Sequence, residues 1–128
     1  MALSTSQSLS KDSPTDVDTN LTVYVARAQD SGRSEFGVQG ITPPNDKTLI
    51  VSHETRKNGD VGHLVSLQRT EVDSLLVPAT LRVNLTIVRP TSTAITNAIV
   101  LEEVFKLIDF LVEGGTGANV TAVLNNEV

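Results

Sequence analysis

The stretch from Ala94 to Glu113 constrains this chain more than any other. Ile99, Val100, Leu101, Val104, Phe105, Leu107, Ile108, Phe110, Leu111 and Val112 crowd into it. Its polar members, Thr96, Asn97, Glu102, Glu103, Lys106, Asp109 and Glu113, recur at three- and four-residue intervals, so a helix gathers them into one narrow wet stripe. Pro90 stops whatever precedes it, Ser92 or Thr93 is placed to cap the first turn, and Gly114-Gly115 ends the helix. A surface helix of a monomer needs an apolar stripe of only about 100°, and here roughly twice that is apolar. The helix must therefore bury two faces. One face can lie on a sheet; the other needs a second helix or a second subunit. The tail from Gly117 to Val128, with Val120, Val123 and Leu124, suits a short helix, although its Val and Thr content also suits a strand. It is too short to cover its neighbour. Burial is worth roughly 25 cal/mol per Å², so several wet side chains of this size forgo several kcal/mol. An obligate dimer is the simplest remedy, with Val100, Val104, Phe105, Ile108 and Leu111 at its interface.

Upstream, the pattern is that of an antiparallel sheet, which makes the fold class α+β: a meander with a central hairpin, then two helices in an intertwined dimer. Residues 1–20 are polar and read as an arm or a weak edge strand. LTVYVAR (Leu21 to Arg27) is a strand, AQDSG a turn, and SEFGV (Ser34 to Val38) a short strand. Pro43-Pro44-Asn45-Asp46 belongs to a connection. KTLIVSHET (Lys47 to Thr55) and GHLVSLQR (Gly62 to Arg69) flank Lys57-Asn58-Gly59 as a hairpin. A two-residue Asn58-Gly59 turn would put Leu49 and Val51 on a face with Gln68 and Ser66. A three-residue loop with Gly59 in the left-handed position pairs Leu49 with Leu67, Val51 with Val65 and His53 with His63. A one-residue slip flips every side chain, so the apolar pattern selects the three-residue loop. Thr70 to Ser74 reads as a short acidic loop. From Thr80 to Val88, Leu81, Val83, Leu85 and Ile87 alternate with Thr80, Arg82, Asn84 and Thr86. The 128 residues thus make one domain: arm 1–20, sheet 21–89 and helical dimerisation tail 92–128.

Charge bears on the partner. The net charge is −5, which argues against nucleic acid, yet its distribution is uneven. Residues 47–100 hold six basic and four acidic groups, whereas 1–46 and 101–128 are net acidic. The only net-positive part is the central sheet. There are no cysteines, which removes disulfides, thiolate metal sites and cysteine nucleophiles. No apolar run reaches membrane-spanning length, and the N-terminal segment has no secretory pattern. The Asn-x-Thr triplets at Asn20, Asn84 and Asn119 are accordingly read as chance.

The order of elements and several short segments resemble the coat proteins of single-stranded RNA bacteriophages, the levivirus-like family. RKNGDVGHLVSLQR is similar to that family's central hairpin, RVNLTIVRPTSTA to its last strand and helix entry, NVTAVLNNEV to its C-terminal helix, and DSGRSEFGV to its third strand. The likeness is best from Lys47 to Val128; residues 1–20 match by position alone. It implies a dimer with a continuous sheet whose helices clasp the partner, dimers assembling into an icosahedral shell of triangulation number three, and a virion built in the bacterial cytoplasm. The inner sheet face would hold genomic single-stranded RNA and, in many members, a translational-operator hairpin. Carried over by position, the RNA-facing residues are Ile50, Ser52 and Glu54, then Leu64, Ser66 and Gln68, then Thr80, Arg82 and Asn84. Three positions depart from the family. Ser66 stands where many members carry a lysine, Thr80 replaces a stacking aromatic, and the link from Gln68 to Thr80 is short. Single-strand recognition usually relies on stacking, so these departures favour packaging over tight hairpin binding.

Two other readings compete. His53 and His63 are cross-strand neighbours and two imidazoles start a metal site, but Glu54 falls on the other face and no third ligand follows. A structural histidine pair is preferred. If both rings were buried and neutral, stability would fall with pH. No catalytic site, cofactor, metal, small-molecule substrate or membrane partner is expected. The last alternative is a non-viral dimeric binding module of the same plan, since fold does not fix function.

Overall fold

The computed structural model describes residues 3–10, 21–112 and 117–126. Six strands follow in chain order: β1 (Ser6–Ser10), β2 (Leu21–Gln29), β3 (Arg33–Gly37), β4 (Asp46–Thr55), β5 (Val61–Val72) and β6 (Pro78–Arg89). Helices α1 (Asn97–Leu111) and α2 (Ala118–Leu124) complete the described chain. Each strand pairs antiparallel with the next, giving one meander with β1 and β6 at its edges.

The β4–β5 hairpin has the three-residue loop that its apolar pattern requires. Leu49 faces Leu67, Val51 faces Val65, and His53 faces His63. Gly59 sits at φ +88°, the left-handed region that a side chain would disfavour. The loop is closed by the Gly59 N–H on the Arg56 carbonyl (2.9 Å) and the Arg56 N–H on the Asp60 carbonyl (2.8 Å).

The next connection differs from expectation. Thr70 to Ser74 is not an acidic loop: β5 continues to Val72, which pairs with Pro78. Asp73 makes this possible. Its carboxylate accepts the N–H groups of Leu75 (2.8 Å) and Val77 (2.9 Å), and its own N–H donates to the Val77 carbonyl (3.1 Å). One side chain thereby replaces the backbone partners that a loop of this length would lack.

Helix α1 also starts later than the sequence predicts. Thr96, not Ser92 or Thr93, is the cap, accepting the Ile99 N–H at 3.4 Å. Ser92 instead closes a separate turn through the Ala94 N–H (3.1 Å). Arg89 binds the Asn97 side chain and, at 3.1 Å, the Ile95 carbonyl just ahead of the helix. Lys106 lies 3.2 Å from Glu102 and 3.0 Å from Glu103 along the wet stripe. The expected end at Glu113 and the stop at Gly114-Gly115 lie outside the described residues, as does Asn20. The tail resolves into a helix rather than a strand. Asn119 of α2 ties back to α1 by donating to the Phe110 carbonyl (2.7 Å).

Pairing assigns every strand residue to a face. Tyr24, Ala26, Phe36, Leu49, Leu67 and Val83 share one side, where Tyr24, Phe36 and Leu49 form the core. Toward β6 this apolar face opens to solvent, and Leu81 and Val83 are exposed. Helix α1 does not cover this face from within the chain. No residue of α1 is buried.

A bulge in β2 serves the opposite face. The register shifts between Ala26 and Ala28, leaving Arg27 as the extra residue. Its guanidinium grips Asp46 at 2.9 and 3.1 Å, crossing from β2 to β4 over β3. Gly37 lies beneath it: a Cβ there would overlap the guanidinium. Gly37→Ala should therefore lower the melting temperature by displacing the arginine. In an Arg27→Ala background the same change should be nearly neutral, as a double-mutant cycle by thermal melts would show.

The Arg27 hydrogen bond holds the Asp46 carboxyl below the usual carboxylate range. A depressed carboxylate stabilises the fold above its unfolded pKa of about 3.9, and that contribution disappears as pH falls through the lower folded value. Because both groups are well exposed, the effect should stay below about 1 kcal/mol. The stability difference between the wild type and Asp46→Asn should be full at neutral pH and shrink in acid-range melts.

Candidate functional site

Two surfaces remain after the core is formed. The first is the polar face of the sheet. Register places its residues in rows across β4, β5 and β6: Thr48–Gln68–Arg82, then Ile50–Ser66–Asn84, then Ser52–Leu64–Thr86, then Glu54–Gly62–Val88. Thr80 stands at one end, its hydroxyl 2.9 Å from that of Thr70. All nine residues predicted to face RNA thus lie on one side of three adjacent strands.

They are not equally available. Ser66 is only 2% exposed, and its hydroxyl donates to Asn84 Oδ1 at 2.5 Å. Ile50, Ser52, Leu64 and Gln68 are half-buried, whereas Glu54, Thr80, Arg82 and Asn84 are exposed. Arg82 has no ion pair or hydrogen bond among the described residues. The other cations of this face are engaged: Arg27 with Asp46, and Arg33 with Glu35 at 3.5 Å. Sequence reasoning put Thr48 on this face without counting it as RNA-facing, and it missed Arg33, Glu35 and Thr70 as members of the surface. The alternation of RSEFG, combined with the β3–β4 pairing of Arg33 to Ser52 and Glu35 to Ile50, was the signal that could have found the first two. Thr70 was hidden by its assignment to a loop.

The second surface is apolar and discontinuous. Pro78 to Asn84 of edge strand β6 is exposed throughout. Farther along, β6 and α1 enclose an open groove of about 370 Å³ lined by Leu85, Ile87, Ile99, Val100, Val104 and Leu107, among others. Of the predicted interface residues, Val100 and Val104 face this groove and are half-buried. Phe105, Ile108 and Leu111 are exposed, Phe105 by 59%.

The histidine pair lies on the apolar face, as register requires, with Glu54 on the other. The rings are not buried: His53 is exposed and His63 half-buried. Among the described residues no three His, Cys, Asp or Glu side chains group as a metal site. No described helix is long and apolar enough to cross a membrane.

No protein-family model matches the chain, and no curated protein matches it in sequence. Solved structures do match. The coat protein of bacteriophage EMS014 superposes with a TM-score of 0.73 at 14% identity, covering 98% of both chains. A virus-like particle of bacteriophage AVE019 gives 0.60 at 17% identity, over 96% of this chain and 94% of that one. An unassembled virus coat protein dimer, described as a bacteriophage RNA-binding dimer, gives 0.56 at 12% identity over 96% and 94%. The six-stranded meander followed by two helices is the fold of bacteriophage coat proteins.

Ser66 supports Asn84 from within the sheet. Ser66→Ala removes one hydrogen bond, while the exposed amide can turn to water. Denaturant unfolding should show a loss of about 1 kcal/mol with the fold intact.

Proposed function

We propose that this chain is the coat protein of a single-stranded RNA bacteriophage, a structural protein rather than an enzyme. The observation that carries the reading is α1: fifteen residues, none of them buried, beside an edge strand whose outer face and apolar side are open. A second copy completes both features. Two β6 edges can pair antiparallel into one continuous sheet, removing the exposed edges. The helical tails, residues 92–128, then cover the apolar face of the partner's sheet, with Val100, Val104, Phe105, Ile108 and Leu111 at the contact. Burying a large apolar side chain is worth about 1.5–3 kcal/mol, so the dimer rather than the monomer is the stable unit.

The likeness to coat proteins found as dimers, capsids and virus-like particles supports further assembly of such dimers. We read the product as an icosahedral shell of triangulation number three, formed in the host cytoplasm and released as the virion. In this arrangement the polar face turns inward to packaged RNA. Arg82 meets phosphate or a base edge, while Ser52, Gln68, Thr80 and Asn84 offer hydrogen bonds and Ser66 orients Asn84. Ile50, Leu64 and Glu54 complete the surface. With no aromatic on it for bases to stack on, the surface suits packaging better than tight reading of one hairpin.

Expression in a bacterial host should yield particles of megadalton size that absorb as nucleoprotein and appear as closed shells by electron microscopy. Phe105→Glu should abolish the dimer and the particle together. Arg82→Ala should leave the shell intact and reduce its RNA content. A wild-type dimer that never assembles would point to the binding-module reading instead, and unchanged RNA content in Arg82→Ala would remove the RNA face from its proposed place.

A further inference from the structure

His53 and His63 are joined across the β4–β5 hairpin by a hydrogen bond in which one Nδ1–H donates to the other Nδ1. His53 Nδ1 and His63 Nδ1 are 2.8 Å apart, with ring centroids 5.0 Å apart and planes inclined at 75°. Neither imidazole has another hydrogen-bond partner among the described residues. Both backbones are fixed. His63 is held between His53 on β4 and Ile87 on β6, and the His53 N–H donates to the Gly32 carbonyl at 2.8 Å. The two Nδ1 atoms therefore share one proton between rigid strands, and that proton is what a metal ion would replace.

We propose that His53 and His63 form a bidentate site for an imidazole-preferring divalent transition metal, of the Ni²⁺ or Cu²⁺ type. The donor type sets the class, and the spacing that the hydrogen bond imposes is compatible with it. With metal–nitrogen bonds of about 2.0–2.1 Å, two cis ligands at 90° lie about 2.8–3.0 Å apart, whereas tetrahedral ligands lie about 3.3–3.4 Å apart. The observed separation matches the cis positions of a square-planar or octahedral ion. The donor set excludes hard cations: Ca²⁺ and Mg²⁺ require oxygen ligands, and no carboxylate joins the pair among the described residues. Because His53 is exposed, the remaining coordination positions stay open to water. Strand pairing supplies the preorganisation that makes two ligands sufficient, since neither ring has to be brought from a distance. The site sits near the loop end of the β4–β5 hairpin, so the bound ion cross-links those strands. The inference does not need the coat-protein reading, but in the proposed dimer it requires the hairpin-loop end of the apolar face to stay clear of the partner's helices.

Titration of the full-length protein with NiSO₄ in a non-coordinating buffer, followed by calorimetry, tests the site. One ion per chain should bind, Mg²⁺ in large excess should not compete, and saturation should raise the melting temperature. His53→Gln and His63→Gln should each weaken binding at least tenfold, and the double variant, left with no imidazole, should show no saturable binding. A wild type without saturable binding, or single variants that bind as the wild type does, would overturn the proposal. Should a variant fail to fold, the wild type alone decides. Substoichiometric Cu²⁺ must broaden the imidazole resonances of His53 and His63 together, and broadening of one ring without the other rejects the shared site.

Discussion

The register of the β4–β5 hairpin decides which side chains meet on each face of this molecule. It is set by a loop of three residues in which Gly59 adopts φ +88°. From that turn outward, ten consecutive pairs run from Thr55–Val61 to Asp46–Thr70. Shifting the loop by one residue would put Gln68 and Ser66 on the face of Leu49 and carry Leu67 to the other side. The neighbouring strands inherit the same phase. Phe36 packs because it faces Leu49 from β3, and Arg82 points to the polar side because it faces Gln68 from β6. The core, the Arg27–Asp46 clamp and the histidine pair all rest on this single phase.

The sheet it creates is incomplete on one side. Near β2 to β4 the apolar face has its own cluster, but Leu81 and Val83 toward β6 lie open. Helix α1 cannot correct this from within the chain, since it stands beside β6 with its groove unfilled. The apolar excess of the helix and the apolar excess of the sheet edge are thus two halves of one requirement. Each is costly in an isolated chain, and in the proposed dimer each would be satisfied by the same feature of a second copy. Stability and association would then be inseparable, as they are in obligate dimers.

Much of this was legible in the residues because it depends on periodicity. Alternation along Thr80 to Val88 marked the two faces, and the asymmetry of Ala94 to Glu113 marked the missing cover. Where the reading failed, one side chain had substituted for a pattern. Asp73 folds what looked like a loop into a tight turn by accepting two backbone N–H groups. Arg89 ties β6 to the entry of α1 by binding Ile95 and Asn97. Neither contact has a period, and neither spans a fixed motif. The Ser66–Asn84 bond was hidden for a related reason. Pairing showed that the residues are opposite, but not that Ser66 is covered while Asn84 remains open.

The polar face also clarifies how an acidic chain suits the proposed RNA partner. Arg27 and Arg33 are neutralised by Asp46 and Glu35, which leaves Arg82 as the cation of the central rows without a partner. One phosphate contact per subunit gives weak, salt-sensitive attraction in solution. In a closed shell the same contact is repeated on every inner face, and each subunit's contact becomes intramolecular once the first has formed. Strong retention of RNA then requires no deep pocket and no stacking aromatic. In the proposed shell it would follow from assembly, and assembly from the uncovered helix. On this reading the absence of a dense basic patch is not an obstacle to packaging: free dimers hold RNA loosely, and binding tightens as the shell closes around it.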